Sequence, residues 1–272
     1  MKNIVLNNGI SMPMLGLGVF RCSEEEAYNS VKSALSIGYT HIDTAMIYEN
    51  EDAVGQAIKD SKIDRKNLFI TTKLWNEDMR NDNQRKAIEE SLKKLNLDYV
   101  DLYLIHWPVK EKFVSSWFEM EKIYKDGLAR AVGVSNFLIH HLEEILNKSD
   151  LVPAVNQVEF HPYVVQKELT DFCKNHKIQF ESWSPLGATK NGLLENNTIL
   201  EIANKYNKSS AQIILRWNID KGIVTIPKSS NKERQLQNIS IFDFELTEED
   251  IKKIDSLDKN ERVGSHPDTF NF

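Results

Sequence analysis

Short apolar runs alternate with longer stretches whose apolar residues recur at helical spacing, from Leu15 almost to the end of the chain. The runs are LGLG, THIDTA, LFITTKL, VDLYLIHW, ARAVGVS, AVNQVEF, IQFESWS and IVTIP. The amphipathic stretches that follow them are 24–37, 51–61, 81–95, 115–125, 138–147, 166–175, 198–220 and 232–238. In the first of these, Ala27, Val31, Ala34 and Leu35 fall at i, i+4, i+7 and i+8, one face of a helix. Ser23 with Glu26, Ser209 with Gln212, and Thr247 with Asp250 have N-cap to N3 spacing, and Leu246 with Ile251 suits a hydrophobic staple beside the last. Ahead of the first run, IVLNNGISM reads as a hairpin turning at Asn8-Gly9, because that dipeptide tolerates positive φ.

Eight strands, each followed by helix, predict an α/β fold: a single (β/α)8 TIM barrel over residues 1–272. A doubly wound nucleotide-binding sheet shares this rhythm. No run leads into G-x-G-x-x-G, however, and Gly16 with Gly18 lacks the third glycine. No internal repeat, low-complexity tract or linker divides the chain.

The length suits one barrel of about 250 residues, and 41% hydrophobic content supplies its core. A net charge of −6 leaves no basic surplus for a phosphate backbone, so nucleic acid is not an expected partner. Two cysteines, Cys22 and Cys173, form neither a disulfide framework nor a zinc motif, which fits a reducing cytosol. The N-terminal stretch is broken by Asn, Gly and Pro, unlike a signal peptide. Nor is there an apolar run of about 18 residues to span a membrane.

Four residues carry the candidate chemistry: Asp43 and Tyr48 in HIDTAMIYEN, Lys73 in LFITTKLW, and His106 in VDLYLIHWP. Singly, each has a structural explanation, such as a half-buried aromatic or an ion pair. Together they close three consecutive predicted strands, and in a parallel barrel those ends meet at one rim. Reducing a carbonyl requires hydride at carbon and a proton at oxygen. Tyr48 is the candidate acid; Lys73, held charged by Asp43, is expected to lower its pKa, and His106 to hydrogen-bond the carbonyl oxygen.

Other catalytic chemistries find less support. A barrel metallohydrolase would be expected to show H-x-H, which is absent; His140 and His141 are adjacent in a predicted helix, about 100° apart, and are not expected to share a face. His161, before Pro162, reads as structural. Gly133-Val134-Ser135-Asn136 lacks the last glycine of a nucleophile elbow. No metal is expected.

With these strings in place, the chain resembles the aldo-keto reductases nearly end to end. It is most similar to their small prokaryotic and protozoan branch, which includes 2,5-diketogluconate reductases and glyoxal and methylglyoxal reductases. The resemblance implies that Asp43, Tyr48, Lys73 and His106 are a catalytic tetrad and that the N-terminal hairpin closes the barrel bottom. It implies NADPH across the rim, with Ser135, Asn136 and Gln157 on the nicotinamide carboxamide and Trp183 stacked on the ring. Many relatives have tyrosine at that last position. Ser184 and Leu186 would lie beside the pyrophosphate, Lys228, Ser229 and Arg234 at the adenosine 2′-phosphate, and Gln237 and Asn238 at adenine. Independently of the family, two cations and a hydroxyl leading to a helix N-terminus suit an anion.

Phe20, Trp75 and Trp107 stand just beyond strand ends, where they would wall a substrate pocket. The segment after His106 and the C-terminal tail are short against longer-lidded relatives, implying an open pocket. Phe270 and Phe272 have two possible places, over that pocket or on the barrel exterior. The expected protein is a monomeric, cytoplasmic, NADPH-dependent reductase of small aldehydes and ketones. The rival is an NADPH-binding regulatory module of the kind that governs a channel. The start of the hairpin almost at Met1, without a long N-terminal extension, favours the enzyme.

Overall fold

A computed structural model describes residues 2–189 and 192–270. Strands β1 (Asn3–Val5) and β2 (Ser11–Pro13) form the N-terminal hairpin, with Ile4 opposite Met12 and Gly9 at the positive φ of 87° that its turn requires. Leu6 and Met12 from this hairpin pack on Phe69, Leu102, Leu104, Val155 and Val224. Those five residues lie on several different barrel strands, so the hairpin plugs the bottom of the lumen.

The barrel strands are β3 (Leu17–Gly18), β4 (His41–Asp43), β5 (Phe69–Leu74), β6 (Val100–Ile105), β7 (Ala129–Ser135), β8 (Val155–Glu159), β9 (Gln179–Trp183) and β10 (Val224–Thr225). They pair in parallel, in chain order. Parallel bridges from Leu15 to Thr225 and from Gly18 to Lys228 join the first strand to the last. The Gly16 N–H donates to Thr225 O and the Thr225 N–H to Met14 O, both at 2.9 Å. The sheet is therefore a closed TIM barrel. A Cβ on Gly16 would lie 2.6 Å from His41 Nδ1, which accounts for glycine at this point of closure.

Around the barrel run α1 (Glu24–Ser36), α2 (Glu51–Ser61), α3 (Asn76–Arg80), α4 (Gln84–Leu95), α5 (Phe113–Lys125), α6 (Ile139–Leu146), α7 (Lys167–Asn175), α8 (Asn197–Tyr206), α9 (Ser210–Asp220), α10 (Lys232–Ile239) and α11 (Glu248–Asp255). Ala27, Val31, Ala34 and Leu35 of α1 are buried, and Ser23 with Glu26 forms a capping box.

The helices depart from expectation at three places. The stretch 198–220 is two helices, because Asn207 ends α8 in a left-handed conformation and Ser209 with Gln212 opens α9 with its own capping box. Helix α3 is too short to show periodicity; Asn76 and Met79 are its buried residues, and Asp82 at φ 55° breaks the chain before α4. At Thr247 only half the box forms. Its hydroxyl accepts the Asp250 N–H, but the Asp250 carboxylate takes Lys205, Tyr206 and the Thr247 hydroxyl instead of the Thr247 N–H. No helix among the described residues is long and apolar enough to cross a membrane.

Helix α2 reaches α4 through Gly55, where a Cβ would lie 2.4 Å from Leu95 O and 2.8 Å from Leu95 Cα. Backbone cannot yield as a flexible side chain does. Gly55→Ala is expected to cost about 1–2 kcal/mol, because overpacking exceeds the roughly 1 kcal/mol gained in helix propensity. The urea midpoint should fall with an unchanged m-value.

Candidate active site

Alternation along the strands turns His41 and Asp43 of β4, Lys73 of β5, Gln157 of β8 and Glu181 of β9 into the lumen. Their contacts confirm it. Gln157 Nε2 donates to Asp43 Oδ2 at 2.8 Å, although four ladder steps separate their strands around the barrel.

Lys73 is fully buried and donates from Nζ to Asp43 Oδ1 at 2.6 Å and to Thr44 O at 2.8 Å. Beyond Asp43 the chain makes a 3₁₀ turn, Met46–Tyr48, which brings the Tyr48 ring to 5.2 Å from Lys73 Nζ. Asn50 anchors that turn. It accepts the Thr44 hydroxyl at 2.8 Å and donates to Val19 O and Cys22 O, tying the turn to the loop after β3. His106 follows directly on β6, its ring edge-on to Tyr48 at 5.8 Å. Asp43, Tyr48, Lys73 and His106 thus stand together at the C-terminal rim.

Burial opposes the Lys73 charge, but Asp43, with Tyr48 and Glu181 near it, outweighs burial and raises its pKa. Burial raises the Asp43 pKa above the ordinary carboxylate value, and Lys73 and Gln157, which favour the charged form, offset only part of that rise. Burial and the nearby Lys73 charge hold His106 well below the ordinary imidazole value, so the ring is neutral at pH 7. Tyr48 departs from expectation. Its pKa is raised, because the loss of solvation exceeds the opposing pull of Lys73. The phenol therefore stays protonated at neutral pH, and Lys73 offsets only part of the cost of ionising it.

Two aromatics pack on this group and a third follows His106 in the chain. Phe20 lies 5.0 Å from Tyr48, and Trp75 meets His106 edge-on at 5.2 Å. Trp107 packs on Phe270 at 4.0 Å, which brings the C-terminal tail to the rim instead of the barrel exterior. Phe272 lies outside the described residues. The tail is fastened by Glu159, a fully buried carboxylate at the end of β8 that accepts the N–H groups of Val263 and Gly264.

Of the residues expected around a nicotinamide, Ser135 donates its hydroxyl to Gln157 O at 2.8 Å. Asn136 donates to His106 O at 3.0 Å and accepts the Trp183 indole N–H at 2.8 Å, which fixes the half-buried Trp183 ring in place. Both amide hydrogens of Gln157 are engaged, toward Asp43 Oδ2 and toward Glu181 Oε2 at 3.0 Å. Its Oε1 accepts nothing from the described residues. Ser184 and Leu186 follow Trp183 and are half-buried.

After β10, Lys228, Arg234 and Gln237 are exposed, while Ser229 and Asn238 are buried. Arg234 occupies the first turn of α10; its backbone N–H is capped by Asn231 at 2.9 Å, and its guanidinium has no ion pair among the described residues. Lys228 bridges back to Gly18, so this cationic segment adjoins the loop after β3.

His140 and His141 do converge, contrary to the helical-wheel argument. Both Nε2 atoms reach Asp268 Oδ1, at 3.1 and 3.5 Å, because the tail carries that carboxylate between the rings. His141 Nδ1 accepts the Leu138 N–H at 3.2 Å, so Nε2 bears the hydrogen and points a proton at Asp268, where a metal would need a lone pair. His161 is structural as expected, held by Glu159 at 3.1 Å and by the Tyr163 N–H.

The sequence reading passed over Asn50, Glu159 and Glu181. For Glu181 a signal existed: a carboxylate in the middle of the predicted strand IQFESWS, on the inward side shared with Trp183.

Residues 14–259 match the Aldo/keto reductase family. The chain belongs to that family, whose members are oxidoreductases acting on carbonyl groups. It is 54% identical to a glyoxal reductase of Bacillus subtilis, over 99% of this chain and 97% of that protein. Among solved structures it superposes with a TM-score of 0.97 on an aldo-keto reductase from a Medee basin deep-sea metagenome library, 46% identical over 99% of this chain and 100% of the other. A Bombyx mori aldo-keto reductase solved in complex with NADP gives a TM-score of 0.93 at 38% identity, covering 98% of this chain and 96% of that one.

Removing the Lys73 ammonium would leave Asp43 buried beside Glu181 without its cation. Lys73→Met is expected to destabilise the fold by about 3–5 kcal/mol, as loss of one partner of a buried pair does, read as a lower urea midpoint at pH 7.

Proposed function

We propose that this protein reduces small aldehydes and ketones, α-dicarbonyls such as glyoxal and methylglyoxal among them, to alcohols, with NADPH as reductant and Tyr48 as general acid. The observation that carries this reading is the convergence of a protonated phenol, a buried ammonium held by a carboxylate, and a neutral imidazole beneath an aromatic wall. The glyoxal reductase relative supports the substrate class, and the NADP complex of the Bombyx mori relative supports the cofactor.

The residues at hand suit NADPH. Gln157 Oε1 is an acceptor that takes nothing from the described residues, Trp183 presents an anchored indole, and Lys228 with Arg234 offers positive charge at the start of α10. When bound, the cofactor supplies hydride to the carbonyl carbon. Tyr48 gives its proton to the carbonyl oxygen, Lys73 stabilises the phenolate left behind, and Asp43 keeps Lys73 charged. Neutral His106 orients the carbonyl oxygen by hydrogen bonding, and Phe20, Trp75 and Trp107 shelter the apolar part of the substrate.

We take the chain to act as one barrel domain, as a monomer in the cytosol. Of the large exposed apolar residues, Phe20 and Ile47 lie at the candidate site, Val5 is on the hairpin, and Phe118, Leu200 and Leu236 lie on three separate helices; both cysteines are free and buried.

NADPH consumption with glyoxal, methylglyoxal, simple ketones and diketo acids tests the reading; binding without turnover on any of them would favour the regulatory module. Tyr48→Phe should lower kcat by about 10²- to 10⁴-fold with NADPH affinity close to wild type. Wild-type kcat in that variant, under conditions where chemistry is limiting, would remove Tyr48 from the acid role.

Charge-assisted bonds to phosphate are worth roughly 1.5–3 kcal/mol, so Arg234→Ala should weaken NADPH binding by about 10- to 150-fold. NADH affinity should hardly change, because NADH lacks the 2′-phosphate. Quenching of tryptophan fluorescence measures both constants. Equal weakening of the two would make the segment a basic surface only.

A further inference from the structure

Behind the tetrad lies a second carboxyl that the proposed chemistry does not use. Glu181 is fully buried on the inward side of β9, and its Oε2 accepts Gln157 Nε2 at 3.0 Å. The same nitrogen serves Asp43 Oδ2 at 2.8 Å, so one amide joins the two acids. Glu181 Oε1 is buried and has no hydrogen-bond partner among the described residues.

The charges facing Glu181 are few. Lys73 is the cation, and Asp43 already takes it at 2.6 Å. From β4, His41 places Nε2 at 3.8 Å from Glu181 Oε1. His41 Nδ1 lies 3.3 Å from Pro13 O, a carbonyl that can only accept, so Nδ1 carries the hydrogen and the Nε2 lone pair faces Thr71 and Glu181. Burial holds the His41 pKa down to about 3, which removes it as a counter-ion at neutral pH. A carboxylate at Oε1 would thus meet a lone pair, whereas a hydroxyl there would face an acceptor.

We propose that Glu181 is a positioning residue that works as a neutral, proton-bearing carboxyl. It takes one N–H of Gln157, so that this amide turns only its oxygen to the cleft, and it leaves Asp43 as the single anion on Lys73. The inference rests on the reductase reading of the site. Gln157 then recognises an N–H donor, such as the primary amide of a nicotinamide. Burial, with Asp43 adding to it and Gln157 and Lys73 opposing, pushes Glu181 up to about 8, in keeping with that state. An ionised Glu181 would add negative charge beside Lys73 and make the Tyr48 phenolate harder to form.

Infrared difference spectra of cofactor-free wild type against Glu181→Gln at pH 6 decide the protonation state. The carbonyl stretch of a protonated carboxyl should be present in wild type and lost in the variant; a carboxylate band in its place overturns the proposal. Stability gives a second reading. The folded-state pKa is raised above the ordinary 4.5, so the contribution of Glu181 is complete below pH 4.5 and is lost as pH rises through about 8. Wild type should lose melting temperature relative to Glu181→Gln across that window, and parallel curves would count against the proposal.

In turnover at pH 6, where both side chains are neutral, Glu181→Gln keeps an acceptor for Gln157 and should retain the NADPH affinity and kcat of wild type. The two should part only as pH rises through about 8, where wild type gains a charge that the variant lacks. A difference in kcat already present at pH 6 would mean that the substitution had removed a charge and would overturn the proposal. Glu181→Leu, by contrast, should weaken NADPH binding by about 2- to 13-fold, the equivalent of one hydrogen bond. Wild-type affinity in a folded Glu181→Leu would end the positioning role, and if that variant fails to fold, Glu181→Gln and the spectra still decide. Absence of aldehyde turnover by wild type would overturn the reductase reading instead, since the spectra and melting curves need neither cofactor nor substrate.

Discussion

The candidate site is organised by one buried cation. Lys73 has given up water entirely, and its charge survives there because Asp43 and the Thr44 carbonyl stand at hydrogen-bonding distance. Its surroundings follow from that requirement. Asp43 must face inward at the end of β4, the chain after Thr44 must turn back so that its carbonyl reaches Nζ, and that turn delivers Tyr48 to the ammonium. His106 loses its proton to burial and to the same charge. A lysine in the wall of the barrel thus adds its charge to burial in biasing the protonation of its neighbours.

Closure makes this possible. Gln157 touches Asp43 across the lumen only because β3 and β10 complete the ring, and Gly16 lets His41 lie under that seam. The N-terminal hairpin then fills the lower lumen with Leu6 and Met12, so the polar residues of the upper layer rest on an apolar floor.

The barrel was legible in the chain because each strand is a short apolar run bounded by polar residues, and eight of them recur with helices between. The tetrad was legible for a related reason: an ionisable residue closing an apolar run advertises a strand end. Less could be read where the cause is tertiary. Glu181 sits inside a run, and its partners on β4 and β8 are known only once the ring closes. His140 and His141 meet through Asp268, far along the chain, which no helical wheel includes. The rise of the Tyr48 pKa reflects burial by the whole site and outweighs the neighbour that the sequence did supply. At Asn207 the stop between α8 and α9 was present, in the polar run 207–210 and the Ser209 cap within it, but the apolar residues on either side were joined into one stretch.

The C-terminal tail has a bearing on how the protein is made. Glu159 reaches the folded state with its oxygens on Val263 and Gly264, and Gly264 lies so close to Trp183 that a Cβ there would come within 2.3 Å of the indole. The ribosome releases β8 and β9 well before that segment. Until the tail emerges, Glu159 lacks these two backbone donors and one side of the indole lacks its cover, and the seam between β3 and β10 can close only once β10 has been made. The rim is therefore completed by a segment translated after every strand of the barrel.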